Sequence, residues 1–169
     1  MNKELKIATT IFIVVFIIDQ VVKFGFANLN WDVDGPYMSL KLAYNYGVAF
    51  SMFSFLEHNL KYIQLAIVLI GTLYLFKNQN VFKEYYLPIA LLYAGGLSNI
   101  LDRFTYGAVD DYFYWHYLFE FAIFNIADVI INIAVAIIIY KQIIQIKDKK
   151  KNKNIKSWIL KLKMNLAII

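Results

Sequence analysis

Asp128 lies inside the apolar run 121–140, and two more carboxylates, Asp110 and Asp111, precede it by 18 and 17 residues in the connecting segment. Ionising a carboxyl in hydrocarbon costs roughly 2.5 to 3.5 kcal/mol on insertion scales, so such groups must face protein or water. Two carboxylates that share a proton hydrolyse amides through water: the ionised member takes a proton from water while its partner hydrogen-bonds the scissile carbonyl. Other chemistries have less support. The chain has no cysteine, which removes disulfides, thiolate catalysis and cysteine-held metals. Ser98 has no adjacent His or Lys and no G-x-S-x-G elbow, and His58 and His116 show no metal spacing such as H-E-x-x-H. The expectation is an enzyme with no metal and no cofactor.

The elements that must position these groups are membrane helices. Of the 169 residues, 60% are hydrophobic, and the mean hydropathy is +0.53. Both values exceed those of an ordinary soluble domain. Four apolar stretches approach the ~20 residues that cross a bilayer, and the predicted spans are 7–27, 60–77, 85–102 and 121–146. No small-residue cleavage site follows the first, which continues into Asp19, Gln20 and Lys23, so it is not read as a removed leader. The expected fold is an all-α membrane protein: a four-transmembrane-helix bundle (1–147) with a small extramembrane β-containing platform and a basic C-terminal amphipathic tail (148–169).

Lysine placement orients the bundle. Lys3 and Lys6, Lys77 and Lys83, and the nine lysines from Lys141 onward mark three segments as cytoplasmic, including both termini. The outer connections, 28–59 and 103–120, hold one Lys or Arg each and carry Asp32, Asp34, Glu57, Asp110, Asp111 and Glu120. The net charge of +5 is therefore a property of lysines beside an anionic leaflet, and no nucleic-acid partner is implied. In the first outer connection, Asp34-Gly35-Pro36 is a turn signal, and Met38, Leu40, Leu42 and Tyr44 alternate with Tyr37, Ser39, Lys41 and Ala43, predicting a short strand or hairpin. The second concentrates Phe104, Tyr106, Tyr112, Phe113, Tyr114, Trp115 and Tyr117, rings that suit the headgroup region. Beyond the lysine run, Ile155, Trp158, Ile159, Leu162 and Leu166 recur at helical spacing, which reads as an interfacial helix or a disordered tail.

Helical spacing gathers the polar residues onto faces: Asp19 with Lys23; Asn99, Asp102 and Arg103; Asn125, Asp128 and Asn132. All lie toward the predicted outer side, which implies one polar pocket shared by three helices. Ser98, Gln64 and Asn132 are read as hydrogen-bonding helices together. Two rivals remain: a proton-coupled transporter or channel subunit relaying protons through Asp19, Lys23, Asp102 and Asp128, and a lipid-binding scaffold without catalysis. The inner halves of the spans are almost purely apolar, so no continuous proton path is visible.

Five blocks then occur in order: Asp19-Gln20 followed by Lys23; Asn45-Tyr46-Gly47-Val48-Ala49-Phe50; Gly95-Gly96-Leu97-Ser98-Asn99 leading to Asp102-Arg103; Gly107 to Tyr112; and Phe124-Asn125-Ile126-Ala127-Asp128. With these blocks the chain resembles the lipoprotein signal peptidases (signal peptidase II), four-span bacterial membrane aspartyl proteases. The resemblance implies a catalytic dyad of Asp111 and Asp128. It gives Asn45, Gly47, Asn99, Arg103 and Asn125 roles in binding substrate or orienting the dyad, with Asp19, Lys23 and Asp102 in support. Asp110 stands where that family usually has an apolar residue, Ser98 where it often has Gly, and Tyr112 replaces the commoner Phe. Asp102 is expected to pair locally with Arg103. The implied activity is endoproteolysis of diacylglyceryl-modified prolipoproteins, just before the lipidated cysteine, by a monomer of the bacterial inner membrane in contact with membrane lipids, its site on the extracytoplasmic side.

Overall fold

The computed structural model describes residues 3–47, 52, 54–119 and 121–166, with side chains except at 54, 57, 58 and from 154 onward. In chain order the elements are α1 (Lys3–Asn28), β1 (Met38–Asn45), a short 3-10 turn (Ser54–Leu56), α2 (Glu57–Lys77), α3 (Gln79–Thr105), β2 (Val109–Trp115) and α4 (Ile126–Leu166). Two compact units result, Met1–Ala134 and Val135–Ile169, the second being the continuation of α4.

Polarity in the first unit is inverted relative to a water-soluble protein. Its largest fully buried side chains include Lys23, Asn125, Asp19, Asp102, Asp110 and Asp111, whereas Ile17, Val21, Ile67, Ile70 and Leu73 are exposed. Lipid tails are as apolar as leucine, so burying leucine gains nothing in a membrane, while every polar group must find a partner inside the protein. Among the described residues, three helices are long and apolar enough to cross a bilayer: α1, residues 59–77 of α2 and residues 126–153 of α4. The chain is an integral membrane protein.

The expected third span, α3, is 27 residues long but carries the bundle's polar interior. Ser98, Asn99, Asp102 and Arg103 are all buried along it. Pro88 kinks this helix: it lacks an N–H and its ring crowds the preceding turn, and the break falls at Tyr85 (φ −114°, ψ 18°). Gly95 lets the start of α4 approach. A Cβ there would stand 2.7 Å from the Ala127 carbonyl oxygen and 2.9 Å from the Ile131 side chain.

The predicted strand exists as β1, and Val33 and Leu40 close a local hairpin across the Asp34-Gly35-Pro36 turn through a pair of backbone hydrogen bonds of 2.9 and 2.8 Å. The main partner of β1, however, is β2, read from sequence only as an aromatic segment. The two strands run antiparallel, with Ala43 opposite Asp111 and Asn45 opposite Val109, and a register shift between Leu40 and Ala43. The loops thus do form a platform, by pairing with each other.

Two boundaries differ from expectation. The fourth apolar helix begins at Ile126, not 121: residues 121–125 are not helical, and Phe124 pairs with Phe113 of β2. At the other end α4 continues through the lysine run to Leu166. The amphipathic face expected beyond Lys153 falls on side chains outside the described ones, as do Val48, Ala49, Phe50 and Glu120.

Candidate active site

Period-two alternation on β2 decides which of two adjacent carboxylates faces the cavity. Successive strand residues point to opposite faces. Asp111 turns toward α4, where it accepts hydrogen bonds from Asn45 Nδ2 (3.0 Å) and Asn125 Nδ2 (2.8 Å). Asp110 turns away, toward Asp102, Lys23 and Asp19, and both of its carboxyl oxygens are buried without a hydrogen-bond partner among the described residues.

Asp128 is placed by the start of α4. Asn125 caps the helix: its Oδ1 accepts the Asp128 N–H (2.9 Å), while Asp128 Oδ2 accepts the Asn125 N–H (3.2 Å). This reciprocal pair is a capping box, with Asn and Asp in place of Ser and Glu. The expectation that Asn125, Asp128 and Asn132 share a helical face is therefore corrected, because Asn125 precedes the helix. The other Asp128 oxygen accepts from Asn99 Nδ2 (2.9 Å).

Asn125 thus holds both carboxylates. Its Nδ2 also points to Asn99 Oδ1 (3.2 Å) and to the Asp110 carbonyl (3.3 Å), so one amide ties β2, α3 and α4 together. Asp111 and Asp128 line a cavity of about 660 Å³ with Asn45, Asn99 and Arg103. Burial first, then the charge of Asp128, pushes the Asp111 carboxyl up to about 7, against the opposing effects of Asn45, Lys23 and Asn125. Burial next to Asp102 likewise raises Asp110 to about 7.

Beneath the cavity lies an ion cluster. Lys23 Nζ pairs with Asp19 (2.9 Å) and Asp102 (2.6 Å) and donates to Asn99 Oδ1 (2.7 Å). The expected turn-spaced pair of Asp19 and Lys23 is present. Asp102, by contrast, pairs with Lys23 of α1 rather than locally with Arg103. Asp19 also accepts the Ser98 hydroxyl (2.6 Å) and the Ala127 N–H (2.9 Å), linking α1, α3 and α4. Arg103 holds carbonyls: Nη1 donates to Asn99 O (3.3 Å) and Nη2 to Gly47 O. Asn45 Oδ1 accepts the Gly47 N–H (3.0 Å), so the turn after β1 is fastened at both its amide and its carbonyl.

Gln20, read from the sequence only as a polar residue of the first motif block and given no role in the site, donates through Nε2 to Ser98 Oγ (2.7 Å) and Asp102 Oδ1 (2.9 Å). Ser98 does join helices as expected. Gln64 and Asn132 instead line the cavity, and Gln64 Oε1 is buried without a hydrogen-bond partner among the described residues.

Residues 11–144 match the family model for signal peptidase (SPase) II. This chain belongs to the signal peptidase II family. It is 50% identical over 132 residues to the lipoprotein signal peptidase of Wolinella succinogenes, covering 78% of this chain and 89% of that protein. The Campylobacter jejuni lipoprotein signal peptidase is 47% identical over 142 residues (83% and 88% covered), and that of Helicobacter pylori 38% over 141 residues (83% and 89%). The fold agrees: a solved structure described as a bacterial membrane enzyme, determined in meso at 2.3 Å resolution, superposes with a TM-score of 0.70 at 30% identity, covering 82% of this chain and 88% of that one. Membership in the signal peptidase II family makes the protein a membrane protease.

Proposed function

We propose that the chain is an aspartic endopeptidase that removes signal peptides from lipid-modified prolipoproteins, cutting before the lipidated cysteine. The observation that carries this reading is the Asn125 side chain and backbone reaching Asp111 and Asp128 at once. Two carboxylates from different elements, fastened to one amide and open to one cavity, are arranged to share a proton and a water. The relatives' shared description as lipoprotein signal peptidases supplies the substrate class.

In the proposed mechanism the ionised member of the pair removes a proton from water, whose oxygen attacks the scissile carbonyl carbon. The protonated member gives its proton to the carbonyl oxygen. Collapse of the resulting diol breaks the C–N bond, and the leaving nitrogen takes a proton from the carboxyl that had acted as base. The working proton belongs to the pair, and the raised proton affinity of Asp111 keeps it there near neutral pH. Asn99, Asn45 and Arg103 orient the carboxylates and the turn at Gly47, and Asp19, Lys23 and Asp102 support them from below.

The membrane arrangement follows from lysine placement: four spans with α3 as the third, both termini cytoplasmic, and the dyad at the extracytoplasmic face of the bacterial inner membrane. There an apolar signal helix enters laterally, its acyl chains stay in lipid, and the scissile bond meets water. The protein is read as a monomer needing no cofactor. The test is cleavage of a lipidated precursor by reconstituted protein. Asp111→Asn and Asp128→Asn should each lose at least about 10²-fold to 10⁴-fold in rate, the usual range for an acid–base group. Near wild-type turnover by either folded variant overturns the dyad.

A further inference from the structure

A second cavity, of about 300 Å³, runs between α1, α2 and α3 from Glu4 and Lys83, at the helix ends away from the dyad, along α3 as far as Leu97. Along α3, Lys83 at its mouth is 16 residues from Asn99 at the dyad, at most about 24 Å at 1.5 Å per residue, since the helix breaks at Tyr85 between them. That is most of the ~30 Å hydrocarbon thickness. The charged end of the cavity, at Glu4 and Lys83, therefore lies toward the membrane surface opposite the dyad.

Its interior is apolar, with Ala8, Phe12, Phe76, Phe82, Ala90 and Leu97 on the walls. The interior polar groups Thr72 and Tyr93 satisfy each other at 2.7 Å, and Gln79 donates to the Phe76 carbonyl at 3.1 Å. Two groups at the rim differ. Glu4 and Lys83 carry opposite charges, and neither is in an ion pair among the described residues. A void in this position would leave its walls without dispersion contacts, and acyl chains are the surrounding solvent. Chain burial supplies little selectivity, because lipid tails are equally apolar outside. The rim decides which molecule stays.

We propose that this cleft holds one membrane phospholipid with a zwitterionic amino headgroup, an acyl chain between α1, α2 and α3, the phosphate at Lys83 and the ammonium at Glu4. The pair of unlike charges argues for that headgroup: a purely anionic one would meet Lys83 but be repelled by Glu4. The site is separate from the dyad, and its existence does not rest on the peptidase reading.

The experiment is native mass spectrometry of detergent-purified, delipidated full-length protein given equal amounts of phosphatidylethanolamine and phosphatidylglycerol. One phosphatidylethanolamine should be retained in preference. Lys83→Glu should lower its retention about fivefold, on the scale of one basic residue near a lipid surface. Ala90→Phe, which fills the apolar part, should abolish retention, and the exchange Glu4→Lys with Lys83→Glu should restore binding by reversing the headgroup. Circular dichroism checks that each variant keeps its helices, and the two surface charge variants keep the test open if Ala90→Phe does not fold. Equal retention of phosphatidylglycerol, or retention unchanged in both Lys83→Glu and the double exchange, overturns the proposal.

Discussion

A single residue step separates Asp111, which meets the cavity, from Asp110, which meets the ion cluster. Both carboxyls are held up at about 7, far above their ordinary 3.8. The native state therefore keeps protons that the unfolded chain releases between about pH 4 and pH 7. Stability is greatest below that window and falls as pH rises through it. Asp110→Asn removes one of these groups while keeping its shape, so its thermal midpoint in detergent should vary less with pH and exceed wild type at pH 8. Identical pH slopes for the two proteins would count against the burial argument. Lys23 makes the complementary case. Lys23→Met leaves Asp19 and Asp102 as unpaired buried charges and should cost about 3 to 5 kcal/mol, read from thermal or denaturant unfolding. Adding Asp19→Asn and Asp102→Asn should recover much of that loss.

Elements deliver these residues through their ends and crossings. Asp128 works from the first turn of α4, Asp111 from β2, Asn99 from the last turns of α3. The close approach of α3 and α4 depends on Gly95. Gly95→Val drives carbon into the Ala127 carbonyl, so it should separate Asn99 from Asp128 and cut cleavage of a lipidated precursor by at least about tenfold, the scale of a hydrogen bond to a charged group. Gly107 is different in kind. It has φ +80° and open space where a Cβ would stand, so Gly107→Ala should cost only about 1 kcal/mol of conformational strain, visible as a small drop in the unfolding midpoint with activity kept. The two glycines separate packing from backbone conformation.

At the scale of the whole molecule, the outside is the apolar side. Ile70, midway along α2, is 67% exposed, which in water would be a liability and in lipid is the required surface. Ile70→Arg should oppose membrane insertion by roughly 2.5 to 3.5 kcal/mol, measured as a lower inserted fraction, while touching nothing in the site. The polar interior is what specifies the helix arrangement, since apolar contact between helices in lipid discriminates little. Asp19, Lys23, Ser98, Asn99, Asp102 and Ala127 form one connected set across α1, α3 and α4.

Much of this was readable in the chain itself. Apolar run length marked the membrane helices, helical spacing paired Asp19 with Lys23, alternation marked β1, and ordered motif blocks pointed to the family. The order and type of local elements follow from such patterns because propensity and periodicity are properties of neighbouring residues. Tertiary structure decided what depends on distant residues meeting. It chose β2 as the partner of β1, put Asp110 and Asp111 on opposite faces, and turned Asp102 from Arg103 to Lys23. It also made Asn125 a helix cap that grips two carboxylates. No spacing rule carries those facts, since each depends on which segments the bundle brings within hydrogen-bond reach, and in lipid that reach is set by buried polar groups finding partners.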